Sequence, residues 1–86
     1  MEDILLKYTN DPHEYVNRRA LISLGKIKSR YAENKALIVW QNDNVYQKIA
    51  ALHVLHEIGS VNLKLLLMEA KNHESSIVRE YVNKLI

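Results

Sequence analysis

The sequence predicts an all-α chain arranged as a short α-solenoid of three helical hairpins, about six helices in all. Three observations predict it. Two Gly and one Pro in 86 residues leave little turn punctuation for an all-β protein. Apolar residues recur at helical spacing. Two blocks of sequence each occur three times at intervals of about 30 residues, the signature of stacked supersecondary units.

The first block, Ile4-Leu5-Leu6-Lys7-Tyr8-Thr9-Asn10-Asp11, lies over Ala36-Leu37-Ile38-Val39-Trp40-Gln41-Asn42-Asp43 at an offset of 32 residues. Leu66-Leu67-Met68-Glu69-Ala70-Lys71-Asn72-His73 follows at a further 30. The second block, Tyr15 to Ala20, is matched by Val45 to Ala50 and by Ile77 to Val82, at offsets of 30 and 32. The reversed order of offsets predicts a middle turn, starting at Asp43, two residues shorter than its neighbours. Units of approximately 1–28, 29–58 and 59–86 result, in a single domain, because a chain this short has room for one core.

Taken in order, a short helix over 2–9 opens the first unit. A longer one follows from Pro12 to Lys28, striped by Val16, Ala20, Leu24 and Ile27 at i, i+4, i+8 and i+11. Asp11 as N-cap, Pro12 at the first helical position and Glu14 at N3 mark its start. A helix over 31–41 is entered through Ser29. The next, Asn44 to Ile58, is apolar on nearly every side and therefore sandwiched, with Gly59 closing it. Ser60 leads into a helix over 61–71. The last, over 74–86, sets Ile77, Val78, Tyr81, Val82 and Leu85 against a polar back of Arg79, Glu80, Asn83 and Lys84, as an end cap requires.

The segment Asp11-Pro12-His13-Glu14-Tyr15-Val16-Asn17-Arg18-Arg19-Ala20-Leu21-Ile22-Ser23-Leu24-Gly25 resembles a HEAT repeat of the short, phycobilin-lyase-type class. Asp43, Tyr46, Ala50 and Val54 fit a second copy, and His73, Val78, Arg79 and Val82 a third. The Arg that the family sets after Val stands only at Arg79, with Asn17 and Gln47 elsewhere. The resemblance implies a protein-interaction scaffold, with bilin-lyase subunits and alkylpurine DNA glycosylases as specialised members built from longer arrays. It also implies that the second helices of the hairpins line a concave face on which a partner helix or peptide lies. Two polar columns of the repeat alignment, Thr9/Gln41/Lys71 and Glu2/Asn34/Lys64, are the expected contact points. Trp40, at the position of Tyr8 and Ala70, is read either as core or as an interface anchor.

Other chemistry is sparse. Twelve Lys and Arg against ten Asp and Glu give a net charge of +2, too little for a dedicated nucleic-acid module. The basic residues Arg18, Arg19, Lys26, Lys28 and Arg30, with no acid between them, are either a solvated face or a patch for an acidic protein or a phosphate backbone. His53, His56 and Glu57 lack the spacing of zinc-binding helices, so packing or rim positions are expected. His13 and His73 are expected at helix starts. No Gly-rich phosphate loop or nucleophile elbow is present, Ser23 has no adjacent base, and Asp11 and Glu14 are explained by capping. No catalytic residue, metal or cofactor is expected.

Zero cysteines suit a reducing cytoplasm. The acidic start Met1-Glu2-Asp3 and the longest apolar run, Ala36 to Trp40, predict neither a signal peptide nor a membrane span. The expected role is a non-enzymatic protein-protein adaptor. The alternatives are a nucleic-acid-associated module using residues 18–30, or an accessory or inhibitory subunit of an enzyme. The first helix and the Leu85-Ile86 terminus are candidate self-association surfaces.

Overall fold

A computed structural model describes residues 2–42 and 44–85. The expected turn start and repeat position at Asp43, and the Ile86 half of the terminal stacking pair, lie outside the described residues. Within them the chain forms six helices and no strand: α1 Glu2–Tyr8, α2 Glu14–Lys26, α3 Ala32–Trp40, α4 Val45–Glu57, α5 Leu63–Lys71 and α6 Ser76–Leu85. The all-α class is as the sequence predicts. No helix among the described residues is long and apolar enough to cross a membrane.

Packing follows chain order. α1 lies on α2, α3 on α4 and α5 on α6, while α2, α4 and α6 form a continuous row. Each helix touches only helices one or two places away along the chain. The body measures 35 × 25 × 17 Å, its thinnest dimension being that of two helix layers about 10 Å thick.

The core explains the order. α4 sits centrally and buries Gln47, Ala50, Ala51, Leu52, Val54 and Leu55, as expected of a helix apolar on all sides. Ala20, Leu21 and Leu24 of α2, Ala32, Ala36 and Trp40 of α3, Ala70 of α5, and Val78 and Val82 of α6 complete it. α2 and α4 approach closely because Gly25 carries no side chain: a Cβ there would stand 3.1 Å from Val54 Cγ1.

The repeat is regular, with a period of 31. α2, α4 and α6 begin at 14, 45 and 76. α2 and α4 both end in Schellman motifs: Ser29 N donates to Leu24 O and Lys28 N to Gly25 O, while Ser60 N donates to Leu55 O and Gly59 N to His56 O. The left-handed residue is Lys28 in the first (φ 53°) and Gly59 in the second (φ 67°). Ser29 Oγ then donates to Glu2 and Ser60 Oγ to Glu33, joining each unit to the next. The unequal offsets read from the sequence are therefore corrected. The turns 9–13, 41–44 and 72–75 differ by only one residue, so no two-residue deletion separates the middle one from its neighbours.

Helix starts also differ from expectation. Asp11 is not the N-cap of α2. Its carboxylate instead accepts the His13 N–H at 2.8 Å and faces His13 Nδ1 at 2.9 Å, so an Asx turn carries the chain through Pro12 and the helix begins at Glu14 with His13 as cap residue. Glu14 is drawn away from a capping box because Arg18 donates to its Oε1 at 3.0 Å and Asn44 to its Oε2 at 2.8 Å. Ser29 and Ser60 act one turn ahead of α3 and α5, accepting the Tyr31 and Asn62 N–H groups at 3.1 Å. Two stripe residues leave the core: Ile27 lies just past the end of α2 and Ile77 on the outside of α6, 49% and 40% exposed.

Candidate functional site

The sequence-predicted contact residues fall on the layer of first helices, not on the row α2, α4, α6. Asn34 is exposed on α3, Gln41 just beyond its end, and Lys64 and Lys71 on α5. At a period of 31, Glu2, Glu33 and Lys64 share one position, and Thr9, Trp40 and Lys71 another, so Asn34 and Gln41 leave the columns they were assigned to. Glu2 and Glu33 are engaged by Ser29 and Ser60, and Thr9 Oγ1 donates to Leu6 O at 2.6 Å. Of the predicted set, the fold brings Lys64 and Lys71 together. They flank a groove of about 220 Å³ between α5 and α6 whose apolar lining is Leu67, Met68 and Val82.

Trp40 is 1% exposed and belongs to the core, which excludes it as an interface anchor. Lys48 explains its placement. The ammonium lies 4.5 Å from the Trp40 ring centre and donates to the Trp40 carbonyl at 2.7 Å, a cation–π contact combined with a cap on the end of α3. At the period of 31, positions 17, 48 and 79 are equivalent. Asn17 donates to Asp11 O at 3.0 Å, Lys48 to Trp40 O, and Arg79 to His73 O at 2.6 Å. Asn17 and Arg79 tie α2 and α6 to the turns before them, and Lys48 ties α4 to the end of α3. Gln47 sits one residue earlier and is buried, donating to Asn17 Oδ1 at 2.6 Å across the α2–α4 boundary.

The basic stretch is dispersed. Arg18 is paired with Glu14 at 3.0 Å. Arg30 donates to Tyr31 Oη at 2.9 Å, a bond that raises its pKa, and Lys28 holds the left-handed turn position. Arg19 and Lys26 remain on the outer side of α2. Among the histidines, His53 Nδ1 lies 3.3 Å from Tyr81 Oη and His56 is exposed. His73 Nδ1 accepts the Ser75 N–H at 2.9 Å, so both His13 and His73 are turn residues at helix starts. The two hydrogen bonds from His13 hold the Asp11 carboxyl below its ordinary range. The described residues contain no group of three or more acids and histidines placed to hold a metal ion.

The second-helix row carries a feature not singled out from the sequence. Tyr15, Tyr46 and Ile77 occupy equivalent positions in the first turns of α2, α4 and α6 and are 65%, 52% and 40% exposed. The Arg18 guanidinium of α2 lies 6.0 Å from the ring centre of Tyr46 on α4. On the other side of Tyr15 a groove of about 310 Å³ opens between α1 and α2, lined by Leu5, Tyr8, Val16, Arg19 and Ala20. The period of 31 was the available signal. At an offset of 30, Tyr15 falls on Val45, a half-buried neighbour, and the column is lost.

No family model matches this chain, and no curated protein or solved structure matches it significantly.

Proposed function

We propose that this chain is a non-enzymatic adaptor that binds another protein, a short HEAT-like α-solenoid acting in the reducing cytoplasm. The helix order, the contacts confined to neighbours and the regular period support the solenoid reading. The docking face is the row α2, α4, α6 together with the α1–α2 groove. One observation carries this: three equivalent first-turn positions, Tyr15, Tyr46 and Ile77, keep large apolar side chains in water. Tyr and Arg are the residue types enriched at binding hot spots, and Tyr8, Tyr15, Tyr46, Arg18 and Arg19 supply them on one side. The polar residues Asn34 and Gln41 are accessory contacts on the opposite layer.

The test is affinity capture from cells with the intact chain and with Tyr15→Ser/Tyr46→Ser, whose folding is checked by circular dichroism because both rings are exposed. Loss of a reproducible captured protein with retained helicity is the expected result. Identical capture by the double variant rejects the column as the docking face.

A further inference from the structure

A second exposed apolar surface, of different composition, lies on α5 and the turn that leads into it. Val61, in the turn before α5, and Leu65 and Met68 on α5 itself, spaced i, i+4 and i+7, are 87%, 66% and 63% exposed, more than any other large apolar residues except Tyr15. The repeat does not require this. The equivalents of Val61 and Leu65 one unit earlier are Arg30 and Asn34, so the middle unit is polar at two of the three positions, with Leu37 matching Met68. Along one edge of the stripe run Lys64 and Lys71, seven residues and about 10 Å apart on the same side of the helix. Both border the α5–α6 groove with Met68. Neither lysine has a carboxylate within ion-pair distance among the described residues. Glu69 lies along the opposite edge.

We infer that this stripe docks an amphipathic helix with an acidic edge. Its apolar residues cover Val61, Leu65 and Met68, and two carboxylates seven residues apart meet Lys64 and Lys71. A helix laid nearly parallel or antiparallel to α5 keeps both contacts in register, which is the helix-in-groove mode of recognition. A second copy of this chain packed antiparallel is the poorer occupant. Antiparallel two-fold pairing of α5 with itself sets the lysine edge against a lysine edge, where like charges repel. The inference is independent of Tyr15 and Tyr46, which lie on other helices.

Fluorescence anisotropy tests it with the full chain and two labelled helical peptides, identical in their apolar stripe but carrying Glu or Lys at the two edge positions. The Glu peptide is expected to bind roughly tenfold or more tightly than the Lys peptide, a difference of about 1.4 kcal/mol. Lys64→Glu/Lys71→Glu, which alters only exposed side chains, is expected to reverse that preference. Tyr15→Ser/Tyr46→Ser is expected to leave it unchanged, so this surface and the tyrosine column succeed or fail separately. Equal affinity for the two peptides, or an unreversed preference in the lysine variant, overturns the inference. So does a dimer in sedimentation that Leu65→Asp dissolves, since the stripe is then covered by a second copy.

Discussion

Lys28 and Gly59 occupy the same turn in successive units, yet only glycine adopts positive φ without steric cost. Lys28→Gly removes the clash of a Cβ with the following carbonyl while keeping both Schellman hydrogen bonds. We expect it to raise stability by about 0.5–1 kcal/mol, and Gly59→Ala to lower it by a similar amount. Urea denaturation reads both as midpoint shifts in opposite directions at constant slope, and a lower midpoint for Lys28→Gly contradicts the assigned geometry. Tyr81 makes stability depend on pH. Partial burial raises its pKa above the ordinary value of 10.0, so the folded state holds the phenolic proton more tightly than the unfolded chain. That contribution is complete below about pH 10 and is lost as the pH rises through the folded value. Stability is expected to fall less steeply above pH 10 in Tyr81→Phe than in the parent, and superimposable alkaline denaturation curves exclude a role for the hydroxyl.

Among the elements, the α2–α4 boundary is the most tightly specified, with Gly25 against Val54 and Gln47 bonded to Asn17. Gly25→Ala should gain helix propensity of about 1 kcal/mol, but its methyl group meets a fully buried Val54 whose surroundings leave little room to move. We expect a net loss of about 1 kcal/mol that Val54→Ala partly relieves, so the double variant is more stable than the sum of the two single changes predicts. Additive losses in a double-mutant cycle show that the two residues do not limit each other. The helices themselves were legible in the sequence to within a few residues, because their 3.6-residue periodicity needs no tertiary information. Their register was not. The Asn10-Asp11 and Asn42-Asp43 pairs look alike, but similarity of loop residues does not report burial, whereas the pairing of Ala20, Leu21 and Leu24 with Ala51, Leu52 and Leu55 does. The start of α2 was misplaced because the side chain of Asp11 forms a local turn instead of a cap. The exposed column of Tyr15, Tyr46 and Ile77 stayed hidden for a related reason, since nothing in Val45-Tyr46 tells which of two adjacent apolar residues points outward until α3 and α4 pack. Trp40 was settled only by burial under α4 and the ammonium of Lys48.

At the scale of the molecule, a row of helices that touch only near neighbours cannot distribute stability evenly. α4 contacts α2, α3, α5 and α6 and contributes six buried residues, whereas α1 has no fully buried residue and α5 contributes only Ala70. α1 and α5 can therefore open while the α2–α4 core persists, at a free energy below that of global unfolding. Native-state hydrogen exchange is expected to find the amides of Ile49 to Leu55 the slowest, with those of α1 and α5 less protected by roughly tenfold or more. Lys28→Gly separates local from global opening. Its turn lies between α2 and α3, so it should slow exchange in α4, which requires global unfolding, and leave α1 unchanged. Equal protection in all six helices, or an equal response of all six to Lys28→Gly, shows instead that the three hairpins unfold as one cooperative unit. The same measurement bears on function. If α5 opens before the core does, an acidic helix seated on its stripe must hold α5 closed, and protection of the α5 amides should rise with peptide concentration while that of α1 does not.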